Sequence, residues 1–241
     1  MKVLTIAKKD ILMYYLKGPV VIFGILLPLF LFLAFWIGKD LPLNFLIAAL
    51  VSMTVFFSST SVSPVIAPWE GQMRTLERLF TCPVSVSTII LGDVIASMIF
   101  GVILSIIPVL LALILGVKIN ILLLLPSILI ASFCFSCLGL LFSAYPTNMP
   151  STIMMISSLI RFPLIFISGI FIPVEELPSM GKIISLLSPL TYFTDIARVS
   201  LGMNSFLPVY IDFLILLIFS AIFAISAVKL HERALLRRVA I

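Results

Sequence analysis

Six long stretches that are almost free of charge constrain the fold of this chain more than any other feature of its sequence. An ionised side chain at the bilayer centre costs about 2.5 to 3.5 kcal/mol on insertion scales. A helix needs about 20 consecutive apolar residues to cross the hydrocarbon core. The sequence therefore predicts six transmembrane helices, at residues 19–37, 43–66, 94–117, 119–143, 151–172 and 207–228.

The composition agrees with a membrane protein. Of the 241 residues, 62% are apolar and only 10% are charged, whereas a soluble domain has about 25% charged residues. We therefore expect an all-α membrane protein in which six spans use nearly the whole length. This excludes a fused soluble catalytic domain and argues against nucleic acid as a partner. Cys82, Cys134 and Cys137 fit no disulfide or zinc framework, so we expect them to be packing residues and expect no metal site.

The distribution of lysine and arginine predicts the orientation. Ten of these residues fall in the terminal segments and the loops on the side of the N-terminus, four fall on the other side, and Arg161 lies within a span. Cytoplasmic loops carry the excess of basic residues. We therefore expect a multi-pass protein of the cytoplasmic (inner) cell membrane with both termini in the cytoplasm.

The segment before the first span, residues 1–17, has helical periodicity. Its apolar arc consists of Val3, Leu4, Ala7, Ile11, Tyr14 and Tyr15. An amphipathic helix of this kind lies on the inner leaflet, with its lysines near anionic headgroups. The alternative is a cytoplasmic extension of the first span.

The loop between the second and third spans is the most polar part of the chain. Glu70 and Arg74 are spaced as an i,i+4 ion pair, and Met73, Leu76 and Phe80 fall on one face. The spacing predicts a short cytoplasmic helix over residues 70–82, ended by a proline. Apolar side chains rimmed by charge suggest a docking surface for a partner. The alternative is a solvated loop that only fixes the topology.

The loop between the fifth and sixth spans, residues 173–206, is too long for a simple turn. It contains an apolar run between Pro178 and Pro189 that is too short to cross the membrane, which predicts a re-entrant helix in the outer half. Glu175 and Glu176 stand at its start, and their adjacency favours helix-start solvation over paired acid–base chemistry.

Arg161 is the one charge deep in a predicted span. We expect it to face the bundle or a subunit interface, with Asp212 as its partner. A structural ion pair and a substrate contact both remain open. Asp93 and His231 are expected to be an interfacial residue and a solvated tail residue.

No phosphate-binding loop, zinc-protease motif or nucleophile elbow occurs in the sequence. The chain is therefore not expected to be an enzyme, and we predict no catalytic residues.

Several motifs resemble those of ABC-2 type exporter permeases. After the second span come Arg74-Thr75-Leu76-Glu77-Arg78-Leu79, Cys82-Pro83-Val84-Ser85 and Leu91-Gly92. Arg74 replaces the family's usual glycine, and Asp93 stands where a basic residue is common. Near the outer loop come Ser168-Gly169-Ile170-Phe171-Ile172-Pro173, Leu177-Pro178 and Pro189-Leu190-Thr191-Tyr192. With the six spans, the match covers nearly the whole chain.

The resemblance implies a single ABC-2 type transmembrane domain over residues 1–241, paired with a second copy or a homologous permease in the lipid bilayer. Two separate ABC ATPase subunits would bind ATP and magnesium, and this chain would bind no cofactor. Residues 1–17 would be the interfacial helix and residues 70–82 the coupling helix. The implied coupling residues are Glu70, Met73, Arg74, Leu76, Glu77, Arg78 and Phe80. The implied outer gate contains Pro173, Glu175, Glu176, Leu177, Pro178 and Pro189.

Other functions remain as alternatives. A non-transporting scaffold or sensor would recruit a cytoplasmic partner through the same loop. An ion-coupled carrier needs intramembrane carboxylates, and Asp212 is one of few. An intramembrane hydrolase lacks a credible nucleophile and base. The sequence does not identify the substrate, because the same apolar composition is required simply to reside in lipid.

Overall fold

The computed structural model describes residues 2–15, 22–38, 41–75 and 84–238, and every regular element in these ranges is helical. A short π-helical segment, Ile22–Leu26, precedes the second helix, and a 3₁₀ turn, Val174–Glu176, lies in the outer loop. The α-helices of the described ranges are α1 (Lys2–Tyr14), α2 (Leu27–Gly38), α3 (Leu43–Ser61), α4 (Ser63–Gln72), α5 (Val86–Ile114), α6 (Ile121–Ser143), α7 (Pro150–Ile167), α8 (Ser179–Ser185), α9 (Pro189–Ser200) and α10 (Val209–Arg238).

Five helices within the described ranges are long and apolar enough to cross a bilayer. They are Leu43–Gln72, Val86–Ile114, Ile121–Ser143, Pro150–Ile167 and Val209–Arg233. The predicted first span contributes a shorter apolar helix, Gly24–Ala34, within those ranges. The expected all-α membrane protein is therefore confirmed for the described part of the chain, with five spans of sufficient length where the sequence predicts six.

The loop predicted from residue 68 to residue 93 is shorter in the structure. Helix α4 continues the second span through Pro68 as far as Gln72, with a bend at Val62. Helix α5 begins at Val86, where the Oγ atom of Ser85 accepts a hydrogen bond of 3.3 Å from the backbone N–H of Thr88. Polar residues mark the end of a span only when they face water. Here the polar residues near the predicted span ends pack against other helices, so the helices continue through them.

Helix α3 lies at the centre of the bundle and is buried along almost its whole length. It packs against α5, α6 and α9, while α6 packs against α10. Several hydroxyl groups of α3, and that of Ser63 at the start of α4, donate to backbone carbonyls one turn earlier in the chain. These bonds join Ser58 to Thr54, Thr60 to Phe56, and Ser63 to Ser59.

Glycines allow the closest approaches between spans. A Cβ atom at Gly101 would lie 2.1 Å from Ser59 Oγ, and one at Gly139 would lie 2.1 Å from Ser63 Oγ. Small residues at such crossings let helices approach closely, which drives association inside a bilayer. The central span is thus fixed between α5 and α6 by steric fit.

In the outer loop, α9 is the buried element. Its residues are almost all inaccessible, and Phe193 packs edge-on against Phe135 of α6, with ring centroids 6.0 Å apart. In contrast, Ile183 and Leu187, from the apolar run predicted to enter the membrane, are exposed in this chain. Exposure in the isolated chain does not test whether this run enters the membrane, so its re-entrant placement stays a prediction.

Candidate coupling site

Helix α1 packs closely against the start of the third span. A Cβ atom added to Gly92 of α5 would lie 2.5 Å from Ile6 Cγ2, so only glycine allows this approach. Ala7 is also buried there, in a cluster with Val62, Ile66 and Ala96. Helix α1 is therefore in direct contact with the ends of the second and third spans that the connection between α4 and α5 joins.

The buried arc of α1 differs from the predicted one. Ile6 and Asp10 are buried, whereas Leu4 is 64% exposed. Because α1 packs on two helices and not on a flat bilayer surface, the shape of the groove determines which residues are covered. Ala7, Tyr14 and Tyr15 are buried as the periodicity predicts.

A buried cluster of charges connects α1 to α4. The ammonium group of Lys9 donates to Glu70 Oε1 and lies 3.0 Å from Asp10 Oδ1. Glu70 is only 2% exposed, and Asp10 is fully buried. Ion pairs with this degree of burial lose 3–5 kcal/mol or so when one partner is removed. Lys9 therefore holds the first helix against the end of the second span.

Two tyrosines extend this attachment. The ring of Tyr14 stacks on Trp69 of α4, with centroids 5.5 Å apart. Tyr15 and Ser97 of α5 share a hydrogen bond of 2.7 Å between their hydroxyls, and the Tyr15 ring packs edge-on against Phe100. The attachment of α1 thus combines ionic, polar and aromatic contacts.

The electrostatic environment follows from these contacts. Burial lowers the pKa of Lys9, but the charges of Glu70 and Asp10 outweigh burial, so its pKa lies above the ordinary value. Burial raises the pKa of Asp10, against the opposing effects of Asp93 and Lys9. Burial and the charge of Glu70 raise the pKa of Tyr14 to about 12. Lys9 is therefore the permanent cation of the cluster.

The carboxyl group of Asp93 belongs to the same cluster. The sequence predicts an interfacial residue, but Asp93 is 4% exposed inside the protein and interacts electrostatically with Asp10 and Glu70. His231 is likewise buried, because its ring bonds to Ser143 Oγ at 2.7 Å and to the Ala227 carbonyl at 2.9 Å. Long-range packing of α1 and α10 covers both residues.

The predicted coupling segment is described only at its start. Helix α4 ends at Gln72, and Arg74 has a positive φ of 53°, so the helix expected over residues 70–82 is interrupted there. Met73 and Arg74 are exposed. Leu76, Glu77, Arg78 and Phe80 lie outside the described residues.

The expected pair between Glu70 and Arg74 is not formed. Glu70 turns into the protein and bonds Lys9, which is 61 positions earlier, while Arg74 remains on the surface after the end of the helix. A lysine in a neighbouring helix provides the cation because the buried carboxylate has lost its contact with water.

The expected pair between Arg161 and Asp212 is also absent from the described part of the chain. Arg161 is 3% exposed, its Nε atom donates to the Ser157 carbonyl at 3.3 Å, and its Nη1 atom has no acceptor there. Asp212 lies near Asp195 instead. The two elements separate because α7 packs against α4, whereas α10 packs against α6 and α9.

In the outer loop, Glu175 and Glu176 are exposed in the first turn after Pro173, as their adjacency predicts. Leu177 and Pro178 follow at the start of α8, and Pro189 is the first residue of α9. Sequence reasoning assigned no contact to Arg198. Its guanidinium donates to the Gly169 carbonyl and lies 4.7 Å from the ring centroid of Phe45.

The sequence analysis also missed a carboxylate that organises the end of this loop. Asp195 accepts hydrogen bonds of 3.0 Å from the backbone N–H groups of Phe206 and Leu207 and one of 3.1 Å from Ser205 Oγ. Asp195 and Arg198 closely follow the Pro189-Leu190-Thr191-Tyr192 motif in the sequence, but their partners depend on tertiary packing.

The described residues contain no cluster of three or more histidine, cysteine or acidic side chains that could hold a metal ion. Cys134 and Cys137 are buried free thiols. Their C-x-x-C spacing places both on the packed side of α6.

Together, these helices define a multi-pass membrane protein with a charged attachment between its first helix and the cytoplasmic ends of two spans. The model of the family described as ABC-2 type transporter matches residues 2–201. Because the match covers most of the chain, the protein belongs to the ABC-2 type transporter family. It is a transmembrane permease component of an ABC transporter, and membership of this family implies partnering with ABC ATPases. Among curated proteins, none matches the chain significantly.

Proposed function

We propose that this chain is the membrane-spanning subunit of an ATP-driven exporter. Two such subunits, identical or homologous, form the substrate route at their interface, and each contacts one of two ATPase subunits. ATP and magnesium bind in the ATPases, and this chain transmits the movement. The protein resides in the inner cell membrane. Both termini and the segment after α4 face the cytoplasm.

The observation that carries this proposal is the attachment of α1 to α4 and α5. Lys9 joins α1 to Glu70 near the end of α4, and Tyr15 joins it to Ser97 of α5. Residues 73–85 connect α4 to α5. A partner that pushes on this connection therefore pushes on three helices that are already fastened together, and packed elements transmit such shifts as rigid bodies.

The polar connection itself supports docking of an ATPase. It contains Glu77 and Arg78 between apolar residues, and Met73 is half exposed at its start. We assign contact with the ATPase to Met73, Arg74, Leu76, Glu77, Arg78 and Phe80. Glu70 acts from inside the protein, where it fastens α1, and is a positioning residue in this proposal.

On the opposite side, we assign the outer gate to the loop that contains α8 and α9. Two exposed apolar residues, Ile183 on α8 and Leu187 just after it, need cover from lipid or from the second subunit. The buried helix α9 holds the loop to the spans through Arg198 and Gly169. The loop therefore contains one helix that is held to the spans, α9, and one that is uncovered, α8.

The test is reconstitution of the permease with the ATPase encoded next to it. We expect the double charge reversal E77K/R78E to abolish ATPase co-purification and nucleotide-dependent transport. Reversal of one exposed charge between α5 and α6, Lys118→Glu, is the matched control and should leave both unchanged. Retention of both activities in the double variant would overturn the assignment.

The same experiment separates the exporter from a scaffold or sensor that recruits a cytoplasmic partner. A scaffold would retain an ATPase partner without moving any substrate when ATP is hydrolysed. Candidate substrates are screened for ATP-dependent uptake into inside-out vesicles, because stimulated uptake into the lumen is the signature of export.

A further inference from the structure

The charged cluster under α1 contains more acidic groups than basic ones. Asp10 from α1, Glu70 from α4 and Asp93 from α5 surround Lys9, and all three carboxyl groups are at least nine-tenths buried. The phenols of Tyr14 and Tyr15 are the other titratable groups that face the cluster. If all the carboxyl groups were ionised, their negative charge would exceed the charge of the one lysine in a site with little water.

The three carboxyl groups are not equivalent. Lys9 donates to Glu70 and lies 3.0 Å from Asp10 Oδ1, so these two acids have a cation beside them. Asp93 has no cation within ion-pair distance among the described residues, and its Oδ1 atom is buried without a hydrogen-bond donor. Both carboxyl oxygens of Asp10 are likewise buried without a hydrogen-bond donor. Gly92, the neighbour of Asp93, packs against Ile6, one turn before Asp10, and the two carboxyl groups interact across this contact between α5 and α1.

Two carboxylates in direct contact in a dry site cannot both be ionised, because their repulsion and desolvation are too costly. One of them must hold a proton and donate it to the other. Lys9 stabilises the charge on Asp10, so the proton belongs on Asp93.

We propose that Asp93 and Asp10 form a proton-binding site and that the bound proton fastens α1 to α5. Asp93 is the neutral acid and donates its O–H to the carboxylate of Asp10. The ligand of this site is a single proton from the cytoplasmic side.

The site lies where the two helices are closest. Gly92, next to Asp93, contacts Ile6, one turn before Asp10. Loss of the proton replaces a hydrogen bond with two like charges across this contact, and the helices separate so that Asp93 reaches water. The docked state therefore binds one proton more than the released state, so docking is favoured at low pH and weakens as the pH rises.

Because a single proton is linked to docking, the pH dependence of the docking equilibrium of α1 has a defined upper limit. The ratio of released to docked α1 rises by up to about tenfold per pH unit over the range in which the docked state holds the proton and the released state does not, and it levels off once neither state holds it. If the proposed function is also correct, a rise in cytoplasmic pH loosens α1, the helix that stiffens the connection between α4 and α5. Transport is then slower. The proton site itself does not depend on that function.

The test uses the full chain in nanodiscs, without an ATPase. A cysteine replaces the buried Ala7 in a background with alanine at positions 82, 134 and 137, and its labelling by a charged maleimide is followed from mildly acidic to mildly alkaline pH. The matched control is a cysteine at the exposed Leu4 on the same helix, because the ratio of the two rates cancels the ionisation of the thiol itself.

We expect the rate ratio of Ala7→Cys to Leu4→Cys to increase with pH in the parent. Asp93→Asn should abolish the increase, since its amide still donates to Asp10 but does not titrate. Asp10→Asn should make the increase smaller, because Asp93 then loses its proton without facing a second negative charge, although Asp93 itself is still buried. A ratio that is flat in the parent, that still rises in Asp93→Asn, or that rises as much in Asp10→Asn as in the parent, overturns the proposal.

A spectroscopic measurement gives an independent readout on the same samples. The infrared difference between the parent and Asp93→Asn at neutral pH should contain the band of one protonated carboxyl group. Absence of that band would show that Asp93 is ionised and would also overturn the proposal. Because neither readout involves ATP or transport, failure here leaves the proposed function untouched, and failure of ATPase binding leaves this site untouched.

Discussion

Lys9 of the first helix donates a hydrogen bond to Glu70, in the last turn before the polar connection between the second and third spans. The two residues are 61 positions apart in the chain. Through this contact, the N-terminal helix is fastened to the bundle at the place where a cytoplasmic partner is proposed to act.

We expect Lys9→Met to destabilise the protein strongly. The substitution leaves Glu70 and Asp10 buried without their cation, and breaking a buried pair in this way costs about 3–5 kcal/mol. Thermal unfolding of the purified protein in detergent measures the loss. The double variant Lys9→Met/Glu70→Met should recover part of it, and Lys8→Met, at an exposed neighbour, should have little effect. An unchanged melting temperature in Lys9→Met would contradict the role of the pair.

Tyr15→Phe should weaken the same attachment by a smaller amount. It removes the 2.7 Å hydrogen bond to Ser97, and a bond of this kind contributes about 1 kcal/mol net. The aromatic contact with Phe100 is kept, so the fold should persist. Tyr210→Phe is the control because Tyr210 is 73% exposed. Equal melting temperatures for the two variants would show that the Tyr15 hydroxyl does not stabilise α1.

Arg161→Met should raise the melting temperature. Arg161 is buried, and no carboxylate of the described residues pairs with it, so an apolar side chain of similar length removes an uncompensated charge. A gain of roughly 1 kcal/mol corresponds to about 2–4 °C for a chain of this size. Arg161→Lys keeps the charge and should show no gain. A large loss of stability in Arg161→Met would reveal a counter-ion supplied by the second subunit, and a loss of transport alone would indicate contact with substrate.

Gly169→Ala should destabilise the outer loop more than Gly116→Ala. Both glycines have positive φ, at 81° and 72°, and alanine in this region costs about 1–2 kcal/mol. At Gly169 the new Cβ would also lie 2.8 Å from Val174 Cγ2, whereas at Gly116 no atom lies within 4 Å. The difference between the two melting temperatures therefore isolates the steric contribution. Similar losses at the two sites would mean that Val174 moves aside freely.

The sequence predicted the positions of the spans well where charge alone determines them. Ile121–Ser143 differs from its predicted span by two residues at one end, because Lys118 and Asn120 precede a long apolar run. The third span was predicted to begin at Val94 but begins at Val86. Asp93 misled the prediction since a buried acid with a partner in another helix looks, in sequence, like the end of a span.

Within the candidate site, the sequence identified Glu70 and the two tyrosines but not their partners. Periodicity describes one helix at a time, whereas Lys9 with Glu70 and Tyr15 with Ser97 join helices distant in the chain. Arg161 and Asp212 illustrate the same limit. Opposite charges in neighbouring predicted spans suggested a pair, but the arrangement of α7 and α10 separates them.

The hydroxyl groups of the central helix have a mechanical consequence. Ser58 and Thr60 donate to carbonyls of their own helix, and Ser63 of α4 donates to Ser59 across the bend at Val62, so these donors form no directional bonds with the surrounding spans. Movement of the central span along α5 and α6 therefore breaks no hydrogen bond of these donors, and it is opposed by the close steric contacts at Gly101 and Gly139. Alternation between two conformations then requires no exchange of these hydrogen bonds in the interior, where no water is present to replace them.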